Sequence, residues 1–305
     1  MYNYWGFGLN IASEIEFPEF LPADFDSPDI TISKGNSPRQ LSGDDVMQKV
    51  NVSMSSKEYL QNVVNVAYYY VANGNEICIQ PHEGADEKSI RFFALSNAMA
   101  AVLHQRNNIL LHASGVYYNE GVVLFCGHTG AGKSTVVTML QQKGYKVFSD
   151  DVCVLKTADN NSKTTMAIPS YPMINLWADS FAKIGLEPPD NNTRLRPNLA
   201  KFGRFYHDNY ETASTPIKRV FILNAYSQAR QVEIKKLGTI EAFSALQQNT
   251  YSYVQINGMK KKAHHFMATS KLAAGVQVYL VNRIPGENTL NEVIALIEAN
   301  LRDER

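Results

Sequence analysis

The rhythm of hydrophobic and polar positions changes near residue 90. Before it, Trp5, Phe7, Leu9 and Ile11 alternate with small or polar residues, the period-two pattern of a half-buried strand. Pro18, Pro22 and Pro28 punctuate a loop ahead of a short strand at Ile30-Thr31-Ile32. Two runs, Val64 to Tyr70 and Glu76 to Ile79, flank Asn73-Gly74-Asn75 and predict a hairpin. The tyrosines at 68–70 are expected to pack rather than to recognise a ligand. Residues 1–90 thus read as a small, mostly antiparallel β-rich module without a catalytic constellation.

Residues 91–305 follow a different pattern. Phe92, Phe93, Leu95, Met99, Ala100, Val102 and Leu103 fall at mostly helical spacing between Ser89 and Gln105. After Ile109 to Ser114 come a strand at Gly115–Tyr118, a two-residue turn at Asn119-Glu120 and the unbroken apolar run Val122 to Cys126. Val136, Val137, Met139 and Leu140 give the next segment a helical apolar face, with Gly144 as its C-terminal stop. Tyr145 to Phe148 predicts a strand parallel to the 122–126 run, because the helix between them is a crossover. Beyond Asn160 a polar hairpin tip leads to Ile168–Trp177, and 188–203, rich in Pro, Asn and Arg, predicts a mobile or substrate-facing loop. The tail predicts a strand at Val220–Leu223, a helix at Thr239–Gln248 and a linker carrying Lys260-Lys261-Lys262 and His264-His265. A strand at Val276–Val281 and a final helix at Thr289–Leu301 follow, the helix opened by a capping box of Thr289 and Glu292.

One stretch of this second half carries chemistry. Gly127-His128-Thr129-Gly130-Ala131-Gly132-Lys133-Ser134-Thr135 matches G-x-x-x-x-G-K-[ST], the phosphate-cradling loop, between a strand and a helix as that motif requires. Glycines let backbone N–H groups turn onto phosphate oxygens, and the helix N-terminus adds a partial positive charge there. Lys133 would reach the outer phosphates of ATP, and the Ser134 hydroxyl would hold Mg²⁺. His128 is expected to act only through its backbone. The carboxylates Asp150 and Asp151 end the 145–148 strand. The C-terminal ends of parallel strands are where ligands gather in open sheets, so the pair would reach the phosphates and Mg²⁺. Lys201 and Arg204 are candidates to neutralise phosphate charge.

Composition narrows the class. Lys plus Arg and Asp plus Glu number 29 each among 305 residues, so no global field recruits nucleic acid or membrane. No signal-peptide pattern opens the chain and no apolar run is long enough to span a bilayer, which predicts a cytoplasmic protein. Cys78, Cys126 and Cys153 show neither metal-ligand spacing nor a disulfide framework and are expected to be small core residues.

His112, Lys133, Ser134 and the Asp150-Asp151 pair resemble, in order and spacing, the catalytic core of bacterial HPr kinase/phosphorylases, which is related to phosphoenolpyruvate carboxykinases. The resemblance covers His112 to Leu155 well and the rest loosely. It implies a P-loop core with a mixed sheet at 91–305 beside the module at 1–90. Asp151 would be the base that takes a hydroxyl proton, Asp150 would support Mg²⁺ or the base, and His112 would hydrogen-bond the pair. Trp5 to Leu9 with Ser13-Glu14, Leu110 to Ser114, and Tyr171-Pro172 leading to Leu176-Trp177 are similar to HPr-kinase-like proteins of lasso-peptide pathways. That subgroup phosphorylates a serine of a ribosomally made precursor peptide. One departure stands out: Ile168 to Trp177 lacks the metal-binding glutamate and nearby arginine that HPr kinases carry after the double aspartate. The expectation is therefore an ATP-dependent serine kinase acting on a precursor peptide. A kinase of a small-molecule alcohol and a nucleotide-gated binding module are the alternatives, with a homo-oligomer left open.

Overall fold

The computed structural model describes residues 1–156, 164–187, 189–208 and 210–303. The hairpin tip expected beyond Asn160 lies outside the described residues.

The first nine strands make one sheet. They are β1 (Tyr2–Gly6), β2 (Leu9–Ser13), β3 (Leu21–Pro22), β4 (Ile30–Lys34), β5 (Met47–Lys49), β6 (Val52–Met54), β7 (Glu58–Val63), β8 (Ala67–Ala72) and β9 (Glu76–Pro81). Their order is β3-β1-β2-β4-β9-β8-β7-β6-β5, antiparallel except where β4 pairs in parallel with β2 and β9. The hairpin around Asn73 forms as the pattern predicts. Tyr69 is fully buried and its hydroxyl donates to the Ile90 carbonyl at 3.0 Å, a packing role.

The alternation from Trp5 to Ile11 is a hairpin rather than one strand. Phe7 and Gly8 turn the chain with φ of 56° and 77°, the two-residue turn that suits the twist of paired strands. A left-handed backbone is costly for phenylalanine, and burial offsets it. The Phe7 ring is 2% exposed and meets Tyr171 and Phe20 edge-on at 5.4 and 6.2 Å, while its N–H donates to the Ser170 carbonyl. A Cβ on Gly8 would lie 2.7 Å from Ile168, so glycine is needed there twice over.

A helical segment joins this sheet to the rest. α1 (Glu87–Phe93) starts two residues earlier than the apolar spacing predicts because the Asp86 carboxylate caps it, accepting from the Ser89 N–H at 2.7 Å. A π-helical stretch, Ala94–Ala98, runs into α2 (Met99–Gln105).

The second sheet is mixed. β10 (Ile109–Leu111), β11 (Ala113–Tyr118), β12 (Gly121–Cys126), α3 (Lys133–Gln142), β13 (Val147–Ser149), β14 (Cys153–Lys156) and β15 (Met166–Ile168) come first. β16 (Met173–Trp177), α4 (Ala178–Lys183) and β17 (Lys201–Phe205) follow, with β16 and β17 forming a separate two-stranded ribbon. β18 (Thr215–Ala225), β19 (Glu233–Lys236), α5 (Thr239–Gln248), α6 (Tyr253–Gly258), α7 (Lys262–Gly275), β20 (Gln277–Arg283) and α8 (Leu290–Arg302) complete the chain. At the centre, β12, β18 and β20 are parallel neighbours. β13 also runs parallel to β12, as expected of a crossover, but β11 lies between them, antiparallel to both.

Why β12 is an unbroken apolar run is now evident: both its faces are covered. Val123 and Phe125 pack with Val136, Val137 and Leu140 of α3 and Ile294 and Ile297 of α8. Val122, Leu124 and Cys126 pack on the opposite side with Ala242 and Leu246 of α5 and Leu272 of α7. No strand of the first sheet pairs with the second among the described residues. A continuous apolar core nevertheless joins Phe17, Phe20 and Ile30 to Leu110, Val154, Tyr171 and Met173.

Several local expectations need correction. His264 and His265 lie on α7, not in a linker, and His265 is buried against the Thr250 hydroxyl at 2.8 Å. Thr289 precedes α8 without a capping hydrogen bond. Glu241 does cap α5, accepting from the Gly238 N–H at 3.0 Å. Cys126 and Cys153 are buried, whereas Cys78 is only half-buried, its thiol facing the Asn36 carbonyl. The 188–203 segment is not all loop, since Asn191–Thr193 forms a 3₁₀ turn and Lys201 opens β17.

Phe20 sits where the two halves of that core meet, packed with Tyr4, Phe7, Phe17 and Tyr171. Phe20→Ala is expected to cost about 3–5 kcal/mol of unfolding free energy, read from urea denaturation. A loss under about 1 kcal/mol would show that the cluster does not tie the halves together.

Candidate active site

The loop from Gly127 to Gly132 turns the chain from β12 into α3 with φ of 150°, 84° and 97° at its three glycines. A Cβ on Gly127 would stand 2.7 Å from the Leu223 carbonyl, so the loop can lie against β18 only with glycine there. Lys133 is 6% exposed and donates through Nζ to the carbonyls of Gly127 at 2.7 Å and His128 at 3.2 Å. Burial lowers its ammonium pKa, against the opposing pull of Asp151 and Asp150. The lysine therefore rests folded against its own loop, its charge poorly solvated.

A cavity of about 530 Å³ opens beside it, within the range of small-molecule sites. Thr129, Gly130, Ala131, Gly132, Lys133, Ser134 and Thr135 form one wall, and His112, Asp151 and Lys201 stand in the same cavity. The sequence-predicted residues thus converge from four separate segments. Gly127 and His128 do not line it. His128 is exposed and contributes its carbonyl to Lys133.

The two adjacent aspartates have opposite environments. Ser149 at the end of β13 is buried, its hydroxyl donating to the Val152 carbonyl at 2.9 Å and pairing with Ser170 at 2.7 Å. The Val152 N–H then bonds the Asp150 carbonyl at 2.8 Å across Asp151, whose φ is 68°. This three-residue turn is a strained shape that sends the two carboxylates different ways. Asp150 is fully buried. Its Oδ1 accepts from the Ser114 hydroxyl at 2.5 Å and its Oδ2 from the Asn175 N–H at 2.8 Å. Burial, then the neighbouring Asp151, raises its pKa.

Asp151 faces the cavity, its side chain about a quarter exposed at 24%. Lys201 Nζ lies 3.5 Å and His112 Nε2 3.6 Å from its Oδ1. Burial pushes this carboxyl up, but Lys201, His112 and Lys133 outweigh it and hold it below the usual carboxylate range.

Two of the expected site residues lie apart from the others. Asp150 is not on the cavity wall, and each of its oxygens accepts a hydrogen bond from the core. Arg204 also lies outside the cavity. Lys201 and Arg204 are three apart on β17, so strand alternation puts them on opposite faces, and Arg204 is half-buried elsewhere. Pattern reading missed Asn175, Lys183 and Arg283, which line the same cavity. No signal in the local sequence marks them, since each arrives on an element whose place depends on the whole fold.

Among the described residues no group of three or more His, Cys, Asp or Glu is placed to hold a metal ion. Magnesium is commonly bound by one or two protein ligands with waters and substrate phosphates completing its shell. The half-buried Ser134 hydroxyl in this cavity fits that sparse mode.

Comparison with known proteins adds little. No family model matches the chain, and no curated protein does. Among solved structures, the Hpr(Ser) kinase/phosphatase from Coxiella burnetii is similar at 13% identity and a TM-score of 0.32, over 63% of this chain and 89% of that one. So slight an overlap assigns neither family nor activity. No helix among the described residues is long and apolar enough to cross a membrane.

Asp150→Ala should leave Ser114 and the Asn175 N–H without their buried acceptor and cost about 2–4 kcal/mol. Asp150→Asn keeps an acceptor for the Asn175 N–H and an amide that can donate to Ser114 Oγ, and should stay within about 1 kcal/mol of wild type. Denaturant titration reads the difference, and equal stabilities for the two variants would show that these hydrogen bonds do not carry the contribution of Asp150.

Proposed function

We propose that this protein is an ATP-dependent, Mg²⁺-requiring kinase that transfers phosphate to the serine hydroxyl of a ribosomally made, lasso-type precursor peptide. The observation that carries the phosphotransfer reading is the Asp151 carboxylate, 3.5 Å from Lys201 and in one cavity with Lys133 and Ser134. A binding module needs a phosphate cradle but has no use for a carboxylate that would repel the phosphates. The peptide acceptor rests on the sequence resemblance described above. In this reading 1–90 is a module beside the catalytic unit at 91–305.

Phosphoryl transfer depends on positioning and charge neutralisation more than on covalent chemistry. The loop N–H groups and the N-terminus of α3 hold the phosphates. Lys133 exchanges its loop carbonyls for phosphate oxygens, and Ser134 would hold Mg²⁺. When bound, the ion neutralises charge on the β- and γ-phosphate oxygens. Lys201 balances charge between Asp151 and the transferring group. Asp151 accepts the proton of the serine hydroxyl as the serine oxygen bonds to the γ-phosphorus, and the bond to the β-phosphate oxygen breaks to release ADP. Its low pKa keeps it ionised and ready at neutral pH, while a phosphate that draws Lys201 away raises its basicity at that moment. His112 orients the carboxylate.

Asp151→Asn should bind Mg-ATP about as well as wild type but lose about 10²–10⁴ in transfer rate. Lys133→Ala should weaken nucleotide binding as well, because it removes a charge that meets the ground-state phosphates. Mass spectrometry of candidate precursor peptides incubated with each variant, alongside nucleotide titration, reads both effects. Near wild-type transfer by Asp151→Asn would remove it as the base.

A further inference from the structure

Asp151 and Asn175 border two cavities at once. Beyond them, away from the phosphate loop, lies a second space of about 130 Å³. It is bounded by the segment after β2, by α1, and by residues 192–195, so the N-terminal sheet and the phosphate-loop unit build it jointly. Two buried acceptors without a partner line it. Glu19 is 8% exposed; its Oε1 accepts from Arg91 Nε at 3.0 Å, while Oε2 is unpaired. Asn175 is 4% exposed, and its Oδ1 is likewise unpaired. Leaving a buried acceptor without a donor costs about 1–3 kcal/mol, a cost relieved when a ligand brings N–H or O–H groups and these side chains turn toward it. Phe92, Leu95 and Met173 supply apolar walls, and Phe205, 47% exposed, stands at the edge.

The geometry points to this second cavity as the acceptor subsite, taking one hydroxyl-bearing side chain of an extended peptide whose N–H groups meet Glu19 and Asn175. It rests on the phosphotransfer reading and names the substrate class of that site. The volume admits a single side chain and no folded partner. An extended chain provides what the lining lacks: N–H donors for the two orphaned acceptors and an apolar flank for Phe205. Asp151 and Asn175 line both cavities, so a hydroxyl seated at their shared boundary meets the Asp151 carboxylate at its flank. The serine oxygen then faces the γ-phosphate directly, with the base beside the line of attack. Residues 1–90 thereby gain a task, since Glu19 and Pro18 belong to the acceptor wall.

The test uses the full chain with radiolabelled ATP and Mg²⁺. The acceptor probes are a pool of short peptides, each with one central serine and varied flanks, together with free L-serine and glycerol. Glu19→Gln keeps a carbonyl for Arg91 but puts an NH₂ donor where the unpaired oxygen stood. Phe205→Ala removes the exposed edge. Both variants should keep wild-type Mg-ATP KM while the peptide KM rises about tenfold. Incorporation into peptides with an unchanged peptide KM in both variants overturns the subsite and leaves the kinase standing. Labelling of free serine or glycerol as efficiently as peptide overturns the substrate class. Absence of label from every probe, in wild type that binds Mg-ATP, overturns the kinase reading and the subsite with it.

Discussion

The site depends on one strained turn. A residue with φ of 68° between the buried ends of β13 and β14 separates two adjacent carboxylates, one into the core and one into the cavity. Ser149 locks the turn from inside, and Asp150 braces it by binding Ser114 of β11 and Asn175 of β16. The core carboxylate thus staples the central sheet to the ribbon that carries Lys201. The cavity carboxylate receives that lysine at 3.5 Å. Charge held without water is the recurring theme, from Asp150 to Asp151 to Lys133, and each charge is tolerated because a fixed partner replaces its hydration.

The arrangement assigns work to elements with little chemistry of their own. The β16–β17 ribbon belongs to neither large sheet, yet it brings Asn175 and Lys201 to the cavity walled by residues 129–135. Aromatic packing around Phe7, Phe20 and Tyr171 fixes where the start of that ribbon lies against the first sheet. A chain of contacts therefore runs from the N-terminal hairpin to the carboxylate that faces the cavity.

Local features were legible in the sequence and relational ones were not. The phosphate loop announced itself because its glycines, lysine and flanking strand and helix lie within one short stretch. The Asp150-Asp151 pair was visible as a pair, but two adjacent carboxylates look alike until a turn divides them. Lys201 and Arg204 could be told apart only once 201–205 was known to be a strand. The Trp5 to Ile11 alternation hid a hairpin because Phe7 occupies a left-handed position that sequence statistics reserve for Gly and Asn. Thr289 and Glu292 spelled a cap that α8 does not form. Asn175, Lys183 and Arg283 carry no mark at all, and Glu19, far upstream, gains meaning only from the cavity that it borders.

The central claim is that the Gly127 to Thr135 loop, with Lys133 waiting on its own carbonyls, binds the phosphates of a nucleoside triphosphate. Thermal denaturation of the folded chain with millimolar Mg-ATP, compared with Mg-AMP, tests it most directly. Binding at about 100-fold excess over Kd stabilises the native state by about 2.7 kcal/mol, so Mg-ATP should raise the melting temperature by several degrees and Mg-AMP by much less. A melting curve that Mg-ATP leaves unchanged would contradict the account.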